Sequence, residues 1–203
     1  KLFQCSTVSA NASYSENFLT GRRTQMVFDL NAFGVLKNYT GIFCGGSVSP
    51  YKNYDYFEPR VEGMYYINRR YFYSYAGIST DYRKKIALDL KGNIAQYINE
   101  GIDGFSWGVD PGIRFRVNDK LSVFYYGTYS YDKYNEGFAN FDSGGNVIIG
   151  GRELTTYENK LRIKYIFTKD MSLSVNARHY WNTGTYVKYY LLGSNGGIAD
   201  AVN

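Results

Sequence analysis

Proline and histidine are nearly missing from this chain, and long apolar runs are missing altogether. Its 203 residues include 3 Pro, 2 Cys, 3 Met and one His. A lone His without a Cys or carboxylate cluster cannot build a metal centre, which needs several converging ligands. Two cysteines cannot make the multi-bridge framework of a small secreted scaffold. No run of ~18 apolar residues occurs, which excludes a membrane-spanning helix. Charge of one sign is not concentrated either. The net charge of +5 comes from 23 basic and 18 acidic residues, and the basic ones stand singly or in pairs such as Arg22-Arg23, Arg69-Arg70 and Lys84-Lys85. That scatter argues against a nucleic-acid partner.

What the chain has in excess is aromatic: 23 Tyr and 13 Phe, with 22 Gly. A soluble core would lean on Leu, Ile and Val, whereas Tyr rings with wet hydroxyls suit the headgroup boundary of a bilayer and the rims of a barrel. The mean hydropathy of −0.38 looks soluble. In a membrane barrel, however, lipid-facing and lumen-facing residues alternate and average out.

Alternation with a period of two recurs in segment after segment, each about the ~10 residues that cross a bilayer at a tilt. Over residues 105–117, Phe105, Trp107, Val109, Ile113 and Phe115 share one face, and Ser106, Asp110, Arg114 and Arg116 the other. No helix sorts them that way. Residues 157–168 set Tyr157, Leu161, Ile163, Tyr165 and Phe167 against Glu158, Lys160, Arg162 and Lys164. Residues 171–181, 86–98 and 24–32 repeat the pattern, and weaker strands are expected over 2–14, 39–48, 69–82 and 121–131.

Nine strands result, joined by connections of two alternating kinds. Short turns fall near Lys37-Asn38, Arg83-Lys84-Lys85, Asn118-Asp119-Lys120 and Lys169-Asp170; long polar loops fall near 14–21, 49–68, 99–104 and 132–152, with another after Trp181. Short turns on one rim and long loops on the other is the layout of a bacterial outer-membrane barrel. A soluble β-sandwich also alternates along its strands. Strand length, aromatic load and the charged opposite face favour the membrane. The expected fold is therefore all-β, an antiparallel transmembrane β-barrel of which about nine strands lie here. The expected location is the bacterial outer membrane, against lipid and lipopolysaccharide. An export signal, if there is one, is expected ahead of Lys1.

Few residues invite a chemical role. Cys5 and Cys44 fall on strands one and three, too far apart for a bridge across an intervening strand, so free thiols are expected. His179 sits among Arg178, Tyr180 and Trp181, where an aromatic girdle is expected. The loop carboxylates Asp55, Glu58, Asp132, Glu136 and Asp142 show no calcium-loop spacing. Asp142-Ser-Gly-Gly-Asn146 and Gly150-Gly151 read as turn formers. No catalytic residue, metal or cofactor is expected.

Two sets of residues stand out as candidates. Tyr51, Tyr54, Tyr56, Phe57, Tyr131, Tyr134, Phe138 and Phe141 lie in long loops, where rings can contact a ligand or pack one loop on another as a lid. Asp89, Asp110, Arg114, Arg116, Glu158, Lys160, Arg162, Lys164 and Arg178 fall on the polar strand face. That charge ladder glues the interior of a narrow barrel or lines the channel of a wide one.

Three strings carry a family resemblance: Tyr54-Asp-Tyr-Phe-Glu-Pro-Arg60; Tyr157-Glu-Asn-Lys-Leu161 with Tyr165-Ile-Phe167; and Ala177-Arg-His-Tyr-Trp181. Together they resemble the C-terminal barrel region of a large Bacteroidota family of uncharacterised outer-membrane proteins. In that family the barrel follows an N-terminal domain similar to family-nine carbohydrate-binding modules. The resemblance covers most of residues 20–192. It implies a Bacteroidota outer membrane, a domain ahead of this chain and further strands after residue 192. The chain departs from a complete barrel in ending Gly196-Gly-Ile-Ala-Asp-Ala-Val-Asn203 without a final aromatic. The odd strand count points the same way, since bacterial single-chain barrels close with even numbers. Residues 1–203 are thus expected to be a single domain internal to a longer barrel.

The function expected is glycan or nutrient binding or passage, with glycans as partners. The alternative is an accessory barrel subunit of a multisubunit outer-membrane complex for import, protein export or barrel assembly, its partners being other outer-membrane proteins. An enzyme is not expected, because no nucleophile and base converge.

Overall fold

The computed structural model describes residues 2–98 and 103–200, and these hold strands and turns but no helix. In chain order the strands are β1 (Phe3–Glu16), β2 (Arg23–Leu36), β3 (Gly41–Ser49), the short β4 (Asn53–Asp55) and β5 (Tyr66–Asn68), then β6 (Arg70–Ser79), β7 (Ile86–Ile98) and β8 (Gly104–Arg116). After these come β9 (Leu121–Phe141), β10 (Val147–Thr168), β11 (Met171–Leu192) and the short β12 (Ile198–Asp200). Ten of them form one antiparallel sheet in the order β1-β2-β3-β6-β7-β8-β9-β10-β11-β12, and β4-β5 is a separate hairpin. All nine long strands thus pair with their chain neighbours. Among the described residues the sheet does not close, because β1 and β12 end the order unpaired with each other.

The turns on one rim are built by side chains that hydrogen-bond their own backbone. Asn118 Oδ1 accepts from the amides of Lys120 and Leu121 at 2.9 and 2.8 Å, and Asp81 Oδ1 from that of Arg83 at 3.0 Å. Such Asx contacts replace the ladder bonds lost at a chain reversal. Tyr39, in the turn after β2, takes a positive φ of 63°.

The register separates two faces. Asp89 pairs with Gly112, Gly112 with Tyr126, Tyr126 with Lys160 and Lys160 with Arg178, all on one face. One residue along β7, Leu88 pairs with Ile113, Ile113 with Tyr125, Tyr125 with Leu161 and Leu161 with Ala177 on the other. It is the apolar face that is open: Leu88 and Leu90 are 48% and 49% exposed, while Asp89 between them is half-buried. A water-soluble sheet buries the opposite face.

Rings gather at both ends of that apolar face. Towards the long-loop rim, Trp107 and Tyr129 lie 5.1 Å apart, Tyr129 and Tyr157 lie 4.9 Å apart, and Tyr157 pairs with Trp181. Towards the short-turn rim, Tyr165 and Phe167 meet edge to face at 4.7 Å. Tyr157 and Phe167 are ten residues apart on β10, which is about 34 Å along the strand at ~3.4 Å per residue.

Two of the expected long loops are strand instead. Residues 132–152 continue β9 to Phe141 and open β10 at Val147, leaving only the turn at 142–146; the segment after Trp181 continues β11 to Leu192. The alternation fails there because the ladder is irregular. Register shifts lie between Ile148 and Ile149, Arg152 and Leu154, and Gly151 and Arg152, and Tyr134 has a φ of 56°. Each extra residue resets which side chain faces which way. The expected loop over 99–104 lies largely outside the described residues.

Beyond the Trp107–Tyr129–Tyr157 rings, the extended ends of β9, β10 and β11 support a small core of Tyr66, Val147, Ile149, Tyr190 and Leu192, with Val61, Met64, Phe138 and Ile198 packed on it. Tyr66, Val61 and Met64 belong to the segment between β3 and β6. That segment is tied down by the Ile67 amide, which donates to Gly196 O at 2.9 Å, and by Glu58, which accepts from the Phe138 amide.

Candidate functional site

A cavity of about 400 Å³ lies under the β4–β5 hairpin, lined by Val27 of β2, Tyr71 of β6, Tyr97 of β7 and Asn135 and Glu136 of β9, with Asn53, Tyr66 and Arg69 from the covering segment. The strands β2 and β9 stand five places apart in the sheet order. One cavity touching both requires the sheet to curl with its polar face inward, as a barrel wall does.

Arg69 and Glu136 form the centre of the site. Arg69 Nε lies 3.3 Å from Glu136 Oε2, and the two side chains are 8% and 2% exposed. The Tyr66 hydroxyl donates to the same carboxylate. The Arg69 guanidinium sits 4.8 Å over the Tyr97 ring. Its room comes from Gly104, where a Cβ would stand 2.2 Å from Arg69 Nη1. Asn53 is held by donating to Ser49 Oγ at 2.8 Å, and Ser49 donates to Met26 O at 3.0 Å. Three buried atoms of the lining residues, Arg69 Nη1, Glu136 Oε1 and Asn53 Oδ1, have no hydrogen-bond partner within the protein. Burial pushes the Glu136 carboxyl up, and Arg69 and Tyr66 only partly offset it. Burial, reinforced by Glu136, also pushes the Tyr66 hydroxyl well above its ordinary value.

All nine residues of the expected charge ladder lie on the polar face, but they are joined in local groups rather than one chain. Lys91 meets Asp110 at 3.6 Å. Glu158 lies between Lys160, at 2.7 Å, and Arg178. Arg162 donates to Asn176 Oδ1 at 2.8 Å. Asp89 accepts from Ser79 and Tyr82. Arg114 packs 5.5 Å from the Phe124 ring, and Arg116 and Lys164 both pair with Ser122. Among the described residues no three His, Cys, Asp or Glu side chains gather around a metal position.

A family model described as a domain of unknown function, DUF5916, matches residues 1–203. The chain belongs to the DUF5916 family. No curated protein and no solved structure matches it.

Of the eight aromatics expected in loops of this DUF5916 chain, Tyr131, Tyr134, Phe138 and Phe141 lie on β9 instead, and the set divides between packing and exposure. Tyr54 and Tyr56 lie 5.3 and 5.7 Å from Tyr65, and Arg22 stands 4.5 Å over the Tyr65 ring. Tyr56 shares a 3.0 Å hydrogen bond with Thr20, joining two loops. Phe138 packs on Phe141 at 5.1 Å under Arg60 at 4.3 Å. Arg23 covers Tyr51 at 4.9 Å. Tyr131 pairs with Trp107 in the strand ladder, and Lys133 lies 5.6 Å from the Tyr134 ring. Phe57 stands 91% exposed. Close to it in the fold, through the Thr20–Tyr56 contact, are Phe18 and Leu19 at 98% and 90%. Sequence reading missed those two, although an apolar pair between Asn17 and Thr20 in a polar loop was the available signal.

His179 lies on the apolar face, where Nδ1 is 3.3 Å from Asn159 Nδ2 while Asn159 Oδ1 accepts from Tyr125 at 2.6 Å. Cys5 and Cys44 are free and exposed. The register puts them on opposite faces as well as two strands apart, since Cys5 pairs with Val35 and Val35 with Gly41, whereas Cys44 pairs with Ala32.

Proposed function

We propose that this DUF5916 chain is part of a β-barrel in the outer membrane of a Bacteroidota bacterium, and that the barrel binds or passes glycans or other nutrients. The observation that carries the membrane half is the inverted sheet, with apolar side chains on the open face between two aromatic girdles and charged ones on the inner face. Soluble monomers rarely expose contiguous apolar patches above a few hundred Å². At the ~40° tilt of outer-membrane strands, the ~34 Å of β10 between the two ring rows projects to roughly 26 Å, which suits the ~25 Å apolar band of such barrels. The open edges of β1 and of β11 below its short pairing with β12 support further strands elsewhere in the protein, because unpaired backbone cannot face lipid. The resemblance to barrels that follow a carbohydrate-binding-like domain supports the glycan half. No reaction, metal or cofactor is part of this reading.

The experiment is membrane fractionation of the full-length protein, followed by glycan-array binding and liposome swelling. Recovery in the outer membrane with binding or sugar-dependent swelling is expected. Neither binding nor permeability in a correctly inserted protein would rule the glycan half out.

A second reading, an accessory barrel of a multisubunit outer-membrane complex, is favoured by Phe18, Leu19 and Phe57, which present apolar surface at the long-loop rim. Pull-down in mild detergent separates the two. Co-migrating outer-membrane proteins that are lost on replacing these residues with Ser support the second, and migration at the protein's own mass rules against it.

A further inference from the structure

We propose that the cavity beneath the β4–β5 hairpin is a binding site for one uncharged sugar residue; this rests on the glycan reading above and gives it a location. The lining is electrically balanced, with Arg69 and Glu136 as its charged members 3.3 Å apart. The lining thus carries no net formal charge to select a free anion or cation. The remaining polar groups are neutral, four amides from Gln25, Asn53, Asn68 and Asn135 and the hydroxyls of Thr24, Tyr66, Tyr71 and Tyr97. Amides present donors and acceptors side by side, and a sugar hydroxyl is both donor and acceptor at once.

The orphaned atoms match the same chemistry. Glu136 Oε1 and Asn53 Oδ1 lack donors and Arg69 Nη1 lacks an acceptor, all three shielded behind the lining, and a pair of neighbouring hydroxyls satisfies that set once these side chains turn towards the cavity. A buried polar atom without a partner costs about 1–3 kcal/mol. Tyr71 and Tyr97, whose rings are 6.2 Å apart, add flat apolar surface to the wall. The volume, about 400 Å³, lies in the range of small-ligand sites. The cavity sits where the curled sheet meets the long-loop rim, so a sugar held there touches both the lid and the inner face of the wall.

The test uses the full-length protein in lipid nanodiscs, titrated by saturation-transfer NMR with glucose, galactose, mannose and N-acetylglucosamine, and with glucuronate as the charged comparison. At least one neutral sugar is expected to bind saturably, with glucuronate weaker, and Gln25→Ala and Glu136→Gln are each expected to weaken binding by about tenfold. Gln25 is exposed, so its variant tests the lining without disturbing a buried ion pair. Absence of saturable binding by all four neutral sugars, or equal affinity in wild type and both variants, overturns the site. Liposome swelling of the same preparations separates the levels. Sugar passage with a silent cavity removes this inference and leaves the wider glycan reading standing, whereas loss of both removes both.

Discussion

Arg69 Nε meets Glu136 Oε2 at 3.3 Å with both side chains withdrawn from water, and this contact ties the segment before β6 to the extended end of β9. Removing one member of a buried pair leaves an uncompensated charge, typically at a cost of ~3–5 kcal/mol. Arg69→Ala should therefore undock the hairpin. Limited proteolysis of the full-length protein in detergent should cut within residues 50–68 much faster in the variant. Glu136→Gln, which keeps an acceptor for Tyr66, should be milder.

The two rims should respond to acid in opposite directions. Glu136 has its carboxyl raised above 4.5 by burial, so its contribution to hairpin docking is fully present below that pH and is lost as pH rises through the folded value. Asp81, on the short-turn rim, is held at about 2, first by its side-chain hydrogen bond with Arg83 and then by the Arg83 amide. Its contribution is present above 3.8 and is lost as pH falls towards about 2. Amide exchange should show the hairpin better protected near pH 4.5 than at neutral pH, and the Thr80–Lys85 turn opening only in stronger acid.

Gly104 and Gly92 make a matched pair for packing. A Cβ at Gly104 would stand 2.2 Å from Arg69 Nη1, while one at Gly92 finds its nearest atom at 4.0 Å. Gly104→Ala should cost about 1–3 kcal/mol by displacing the guanidinium from Glu136 and Tyr97. Gly92→Ala should be neutral or gain about 0.4–1 kcal/mol through the unfolded chain. Refolding titrations in lipid measure both.

Leu161 tests the apolar face at mid-sheet. Leu161→Arg should destabilise the inserted protein by about 2–4 kcal/mol, where an ordinary soluble surface tolerates such a change within ~0.5 kcal/mol. Folding into liposomes against denaturant reads the difference.

Much of this fold was legible in the chain because alternation survives wherever the ladder is regular. The faces of β7, β8 and the lower halves of β10 and β11 follow from residues such as Leu88, Ile113, Leu161 and Val175 set against Asp89, Arg114, Arg162 and Asn176. The upper halves of β9, β10 and β11 were not legible, since the irregularities at Tyr134 and Gly151 break the period that reveals a strand. The site was less legible still. Arg69 and Glu136 read as one member of a basic pair and one loop carboxylate, and only the curl of the sheet brings them together. The hairpin of β4 and β5 has three residues in each strand, too few for any periodic signal.

Cys44 decides the central claim most directly, because it lies on the apolar face, in register with Ala32 and Ala76, and is exposed. In isolated outer membranes carrying the full-length Cys5→Ser protein, a membrane-impermeant maleimide should leave Cys44 unmodified until the membrane is dissolved and the protein denatured. Rapid modification of Cys44 in intact membranes would show that water, not lipid, covers this face, and would contradict the barrel.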